Sequence, residues 1–477
     1  MGQEIPTTQF SQNDFDEFFS RLKTETGELA DWFTQDRFVS QGCISGFELE
    51  AWLVNKDSRP APINEEYLCR LNNDLVTPEL SKFNIELNTD PLNLHNNALR
   101  EMEASLQDSW EKCLANARHF DVDLAMIGIL PSLQETDLTL SNMSEMQRYH
   151  ALNEQVIAMR KGRPLNLDIV GRDRLKTSHH NVMLEASTTS FQVHLQVDPK
   201  LAVRYYNASL IASGITVAVS ANSPYLFGHD LWDETRIPLF EQSVEVGGYG
   251  GAVYGPMRRV GFGTGYARKS MLECFNENLE HFPVMLPILF DEGSVRLRHL
   301  RLHNGTIWRW NRPLIGFDNA GDPTFRLEHR VIPGGPTIPD MIANAAFYYG
   351  LVHYLATLAQ APEDEITFVE TRDNFYCGAR KSLSGQVNWL DNRRVNIRSL
   401  VLNELVEVAR TGLKMLELDV DDVDKYMQII YDRVEKMQTG TVWQRSYIEK
   451  YNSDMNQLTL KYIEQQKTGL PVHLWEI

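Results

Sequence analysis

Gly46-Phe47-Glu48-Leu49-Glu50-Ala51-Trp52-Leu53 alternates as a β-strand does, so Phe47, Leu49, Ala51 and Leu53 share one face and Glu48 and Glu50 the other. Two carboxylates about 7 Å apart on one face repel unless water or a cation lies between them. Taken alone, the stretch is an amphipathic strand with a wet side. Other strands carry complementary chemistry, and that changes its meaning.

Phe83-Asn84-Ile85-Glu86-Leu87-Asn88-Thr89 sets Phe83, Ile85 and Leu87 against Asn84, Glu86 and Asn88, and is expected to end at Asp90-Pro91. Ser190 to Val197 is the cleanest alternation in the chain, with Gln192, His194 and Gln196 opposite Phe191, Val193, Leu195 and Val197. A strand is expected over 306–313, with Arg309 and Asn311 on one face and Trp308, Trp310 and Arg312 on the other. Phe325 to Arg330 gathers Arg326, Glu328 and Arg330 on one face. Between the strands, helical spacing predicts helices over about 11–35, 97–117, 141–162 and 201–222, one starting near Thr337, and mostly helix beyond 397. Residues 125–130 read as a buried strand and 171–181 as a polar connector. The glycine-rich 247–265 lacks both a Walker A sequence and a strand–GxGxxG–helix frame, and reads as a surface lid or as a substrate cover.

Composition bounds the function. The 477 residues are 43% hydrophobic and 23% charged, enough for a large core, and the net charge of −18 argues against nucleic acid and anionic membranes as partners. Five scattered cysteines without CxxC spacing fit a reducing compartment. The start MGQEIPTTQF has no basic n-region or apolar h-region, Pro6 argues against myristoylation, and no apolar run reaches the roughly 20 residues of a membrane helix. A cytoplasmic protein is expected. With no Ser/Gly-rich linker and no internal repeat, the expected organisation is an N-terminal helical segment (1–40), a catalytic domain (41–396) and a helical C-terminal arm (397–477).

Together the polar faces supply Glu48, Glu50, Glu86, Gln192, His194, Glu328 and Arg330, with Glu79 upstream of the second strand able to join them. Solvated faces usually mix Lys, Thr, Ser and Glu, and here lysine is absent. Hard oxygen ligands with one imidazole suit Mg²⁺, with tolerance of Mn²⁺. Arg309 and Arg312 are candidates for a carboxylate or phosphate, or are packed cations beside tryptophans. Arg236 reads as an intrahelical pair, Cys377 as a packing residue, His179 and His180 as solvated, and Arg380 and Lys381 as lesser site candidates.

The order G-x-E-x-E (Gly46 to Glu50), Glu79 seven residues before Glu86, the strand histidine His194 and E-x-R (Glu328 to Arg330) resembles glutamate–cysteine ligase, and more closely the bacterial carboxylate–amine ligases grouped with it. Arg148-Tyr149, 221–224, 304–308 and 326–336 support the resemblance, which runs from about 40 to 445. It implies an α+β fold of glutamine-synthetase type, a curved antiparallel sheet of about six strands around ATP and divalent metals, flanked by helices. It implies one ion on Glu48, Glu79 and Glu86 and another on Glu50, His194 and Glu328. Arg330 would lie over the transferring phosphate, with Glu328 beside it in catalysis, and Arg309, Arg312 and Gln192 would face the nucleotide. The implied activity joins an amino-acid carboxylate, glutamate first, to an amine, as in glutathione biosynthesis. The implied partners are ATP and small amino acids, with a homo-oligomer open. Glu79 departs from the aspartate usual in the family, and the acceptor-site residues do not transfer. The rival readings are a metal-dependent hydrolase and a non-catalytic nucleotide- or metabolite-binding relative.

Overall fold

The computed structural model describes residues 4–5, 7–40, 42–246, 257–290 and 296–477. Six strands make its frame: β1 (Ile44–Val54), β2 (Val76–Pro78), β3 (Asn84–Asn88), β4 (Phe191–Gln196), β5 (Asn311–Phe317) and β6 (Pro323–His329). They lie side by side in the order β5-β6-β4-β1-β3-β2, each neighbouring pair antiparallel. Leu92–Asn93 and Asp123–Ala125 add short pairings to β1. The sheet is curved, and helices flank its apolar side.

The helices that matter below are α1 (Gln12–Thr34), α2 (Ala98–Ala117), α3 (Ala202–Ser220), α4 (Arg298–Gly305), α5 (Ile338–Thr357), α6 (Phe368–Lys381), α7 (Val406–Met415) and α8 (Val420–Glu435). Ser11 and Asp14 close a reciprocal cap on α1, and Thr337 caps α5 with a proline in its first turn. The alternation read from the sequence decides which face the sheet buries. Phe47, Leu49, Ala51, Ile85, Leu87, Phe191, Val193, Leu195, Phe325 and Leu327 are all buried. Each large apolar side chain moved out of water contributes about 1.5–3 kcal/mol. His329 shares this face, stacked on Tyr348 at 4.0 Å and hydrogen-bonded to Thr216 of α3 at 3.0 Å. Burial depresses its imidazole to about 3, which keeps it a neutral core residue.

Two glycine contacts let the helical layer close. A Cβ on Gly412 of α7 would stand 1.9 Å from the carbonyl oxygen of Gly350 in α5, and one on Gly378 of α6 would stand 2.1 Å from that of Gly214 in α3. These helices therefore touch backbone to backbone.

Several expectations need correction. The strand foreseen over 125–130 ends at Ala125; beyond it the chain is buried but irregular, its polar groups met by side chains. Gln466 accepts from the Met126 N–H, and Trp52 donates to the Ile127 carbonyl. A short buried apolar run cannot be told from a strand by periodicity. The connector at 171–181 is largely a strand, Arg174–His179, paired with Leu165–Val170 in a separate ribbon. That pairing turns His179 inward, where it is buried and bonded to Thr177, so it is not a solvated residue. The helix foreseen over 141–162 is shorter, Gln147–Met159. The single strand over 306–313 is broken at Trp310: Trp308–Arg309 pairs in parallel with Val260–Gly261, and the main sheet is entered only from Asn311. Most of the glycine-rich stretch, 247–256, lies outside the described residues. Among the described residues no helix is long and apolar enough to cross a membrane.

Gly412→Ala tests the helix contact. Helix propensity alone favours alanine by roughly 1 kcal/mol, whereas a methyl group against the Gly350 carbonyl should cost about 1–3 kcal/mol net. Urea unfolding should show a lower midpoint at unchanged slope; a higher midpoint would contradict the backbone contact.

Candidate active site

Strand register brings the acidic side chains together. On β1, Glu50 stands directly opposite Glu86 of β3, and Glu48 stands opposite Gln192 of β4. His194 of β4 faces Glu328 of β6, which faces Arg312 of β5. Glu48 is thus one diagonal step from His194, within the reach of long side chains. Two groups result, Glu48 with His194 and Glu328, and Glu50 with Glu79 and Glu86, each with ligand atoms within 4.8 Å of one another. The expected sets exchanged Glu48 and Glu50. Register groups the atoms differently, because the residue opposite Glu86 is Glu50 and Glu48 reaches His194. Glu79, on the turn after β2, does join Glu86.

The first group is built around His194. Its Nε2 is 3.0 Å from Glu48 Oε1 and 3.9 Å from Glu328 Oε1. Neither ring nitrogen makes a hydrogen bond, and Glu48 Oε2 is a buried oxygen without a partner. Buried polar atoms are seldom left so, and each calls for an explanation. An ion held by these oxygens and Nε2 would satisfy Glu48 Oε2 and that ring nitrogen, and the donor set fits Mg²⁺ or Mn²⁺. Burial works against ionisation of Glu48, but His194 outweighs it and the carboxyl sits below its usual value. Burial also opposes charge on Glu328, and it is overcome by Arg312, Arg330 and His194, which hold that carboxyl far below the usual range. Arg312 grips Glu328 with two bonds of 2.7 and 2.9 Å, and Arg330 adds one of 3.0 Å. Arg330 also donates to Gln192. Arg236 pairs with Glu234 and supports this corner from behind, donating to the carbonyls of Arg330 and Val331.

In the second group the cations are outweighed: Arg330 lowers Glu50 and Arg148 lowers Glu79, but burial and neighbouring carboxylates act more strongly. Glu50 accepts from the Ser190 N–H at 2.7 Å, the Ser190 hydroxyl at 3.0 Å and Gln192 at 2.9 Å, which fixes its orientation. Burial and then the charge of Glu86 push its carboxyl up to about 7. Burial and neighbouring carboxylates raise Glu79 and Glu86 as well. Three acids that resist ionising together are the electrostatic signature of a cation site.

Both groups open into one cavity of about 460 Å³. Arg298 and Arg301 of α4, Arg312 of β5 and Arg326 of β6 line the same cavity. Arg301 is pushed below its usual value by burial and by the charges of Arg326, Arg296 and Arg298. Glu185, from the turn Val182–Ser187, lines the cavity beside Glu50 and Arg330. Burial and Glu50 lift it to about 8. Sequence reading missed Glu185, for which no local signal exists. It also passed over Arg298 and Arg301, which the run Arg296-Leu297-Arg298-His299-Leu300-Arg301 in an acidic chain could have revealed.

Arg309 is not in the cavity. The ribbon with Val260–Gly261 aims it at Glu277 and Asn278, and it bonds Glu277 at 2.8 Å. Arg380 packs over Trp232 at 4.5 Å, and Cys377 is half-buried and donates to the Gln386 carbonyl.

Comparison with known proteins gives a family and a fold. A family model described as glutamate–cysteine ligase family 2 matches residues 44–460. By structure, the chain is similar to the glutamate–cysteine ligase of Francisella tularensis solved in complex with AMP, at 11% identity and a TM-score of 0.52, covering 92% of this chain and 91% of that one. A bifunctional glutathione synthetase from Pasteurella multocida also aligns, at 11% identity and a TM-score of 0.48, over 94% of this chain and 55% of that one. No curated protein matches by sequence.

The raised acids predict a pH dependence. Glu50 folded holds its proton up to about pH 7, against an ordinary value of 4.5, so the folded state binds more protons than the unfolded one in between. That contribution to stability is lost as pH rises through 7. Chelator-treated protein should therefore melt lower at pH 8 than at pH 6, millimolar Mg²⁺ or Mn²⁺ should restore the loss, and Glu50→Gln should flatten the slope. An unchanged melting temperature across this range, with or without metal, would contradict the assignment.

Proposed function

The chain belongs to glutamate–cysteine ligase family 2, and from that premise we propose that it activates the carboxylate of an amino acid, glutamate first, as an acyl phosphate for attack by an amine. ATP-dependent carboxylate–amine ligase chemistry is the activity of the family. The single observation that carries the finer reading is one cavity lined both by two groups able to hold divalent ions and by several arginines.

A carboxylate resists amines because its carbon is electron-rich and oxide does not leave. Transfer of the γ-phosphoryl group forms a C–O–P linkage and releases ADP. The amine lone pair then forms the C–N bond as phosphate departs with the C–O bonding pair, and the ammonium proton passes to a base. Glu48, His194 and Glu328 would hold one divalent ion and Glu50, Glu79 and Glu86 another, supplying positive charge against which phosphate oxygens are neutralised. The protein's own part is positioning and charge. Arg330, tied to Glu328 and Gln192, presents a fixed guanidinium beside the first group, where charge on the transferring phosphoryl group is met. Arg301 and Arg326 offer donors to the remaining phosphates. The Glu185 carboxyl has no hydrogen-bond or ion-pair partner among the described residues and suits the ammonium of the incoming amine.

ADP release from Mg²⁺-ATP, measured over amino acids singly and in pairs with glutamate plus cysteine first, should require both an acid and an amine. Turnover of a substrate without ATP would favour a hydrolase, and nucleotide binding without turnover across the panel a non-catalytic relative. Glu50→Gln and Arg330→Lys should each lower kcat by roughly 10²–10³-fold, the first without loss of melting temperature and the second because an ammonium cannot replace a planar fork. Full activity in either would refute the roles given. Glu185→Gln should raise KM for the amine about tenfold, the loss of roughly one charge-assisted hydrogen bond, with KM for ATP unchanged; equal shifts in both constants would remove Glu185 from the amine side.

A further inference from the structure

The family resemblance begins at residue 44, yet part of the cavity's arginine lining is held from outside it. Helix α4 carries Arg298 and Arg301, and its N-cap residue, Leu297, sits at φ +48° and has no side chain able to accept a hydrogen bond. A helix start normally has its N2 or N3 amide satisfied by the cap residue's own oxygen. Here the acceptor comes from α1. Glu25 Oε2 accepts from the N–H of Leu300, the N3 residue, at 2.8 Å, and Glu25 Oε1 is 2.6 Å from Nδ1 of His299.

Glu25 and His299 are each 2% exposed, so neither bond is a surface accident. His299 in turn accepts from the Phe290 N–H through Nε2 at 3.3 Å, which leaves Nδ1 as the donor to Glu25. The same contact is buttressed twice more. Phe18 of α1 packs edge-on to His299 at 5.3 Å, and Arg21 of α1 donates to the Phe290 carbonyl at 2.7 Å. Phe290 itself lines the cavity and lies under the Arg298 guanidinium, 4.1 Å from its ring centroid. Arg301 stands among the like charges of Arg326, Arg296 and Arg298, so the backbone bearing it is held in place by other contacts. A buried carboxylate at the N-terminus of α4 both satisfies the amide and complements the helix dipole.

We infer that Glu25 is a positioning residue for nucleotide binding: through Leu300 and His299 it sets the helix from which Arg298 and Arg301 reach the anionic part of the ligand, making the N-terminal helix a working part of the site. The inference rests on the proposal that these arginines receive ATP phosphates.

The experiment uses the full chain and measures both direct binding of Mg²⁺-ATP and steady-state kinetics for Glu25→Gln, Glu25→Ala, Arg301→Ala and the double variant Glu25→Ala/Arg301→Ala. Glu25→Ala should weaken nucleotide binding and raise KM for ATP tenfold or more, with kcat and the amino-acid KM within twofold. Glu25→Gln, which still accepts from Leu300 but loses the His299 bond, should fall between it and wild type, and it serves alone should Glu25→Ala fail to fold. The double variant should lose less than the sum of the two single losses, since Glu25 acts in part through Arg301. Additive losses, a uniform fall in all constants, or a lower melting temperature with unchanged affinity for ATP would overturn the inference. Absence of Mg²⁺-ATP binding by the wild type would instead overturn the functional reading on which it rests.

Discussion

Repulsion among carboxylates on one sheet face is the constraint to which the rest of the structure answers. Glu48, Glu50, Glu79, Glu86 and Glu328 are gathered in a cavity wall where water cannot fully screen them. The fold meets the two halves of that charge differently. Arg312 and Arg330 hold Glu328 ionised, whereas at Glu50 and Glu79 burial and neighbouring carboxylates outweigh Arg330 and Arg148. One half is thus kept charged by the protein, and the other resists ionising. An asymmetric pair of this kind suits a reaction in which one ion is held near Arg330 and the transferring group and the other near the acceptor.

The packing below the sheet serves the same end. Metal ligands must stand within a few tenths of an ångström of their working positions, so the strands that bear them cannot drift. Close contacts between α5 and α7, and between α3 and α6, at paired glycines make a rigid support. His329, neutral and buried, ties β6 to α3 and stacks on α5 one residue away from Glu328. Arg236 does similar work behind Arg330. The residues that touch a ligand are few; those that fix them are spread over the whole chain.

Much of this could be read in the sequence because a strand's period of two is a strict rule. Glu48, Glu50, Glu86, His194, Glu328 and Arg330 were each placed on a face by alternation, and those faces do converge. Partner choice was not readable, since it depends on register between strands far apart in sequence: Glu50 rather than Glu48 meets Glu86 because of a two-residue offset that neither strand encodes alone. Arg309 was misplaced because alternation was carried through Trp310, where the chain changes ribbons. Residues on short turns and helices, such as Glu185 and Arg301, have no periodic frame that would point them to a site. Glu25 lies on the helix expected over 11–35, and only tertiary packing gives it a partner.

The central claim is that two divalent ions complete the acidic wall. Its most direct test is a Mn²⁺ titration of the wild-type chain followed by electron paramagnetic resonance in the presence of a non-hydrolysable ATP analogue. Two bound ions per chain are predicted, with magnetic coupling between them, falling to one when Glu79 is replaced by glutamine. Binding of no ion, or of one ion indifferent to the Glu79 substitution, would contradict it.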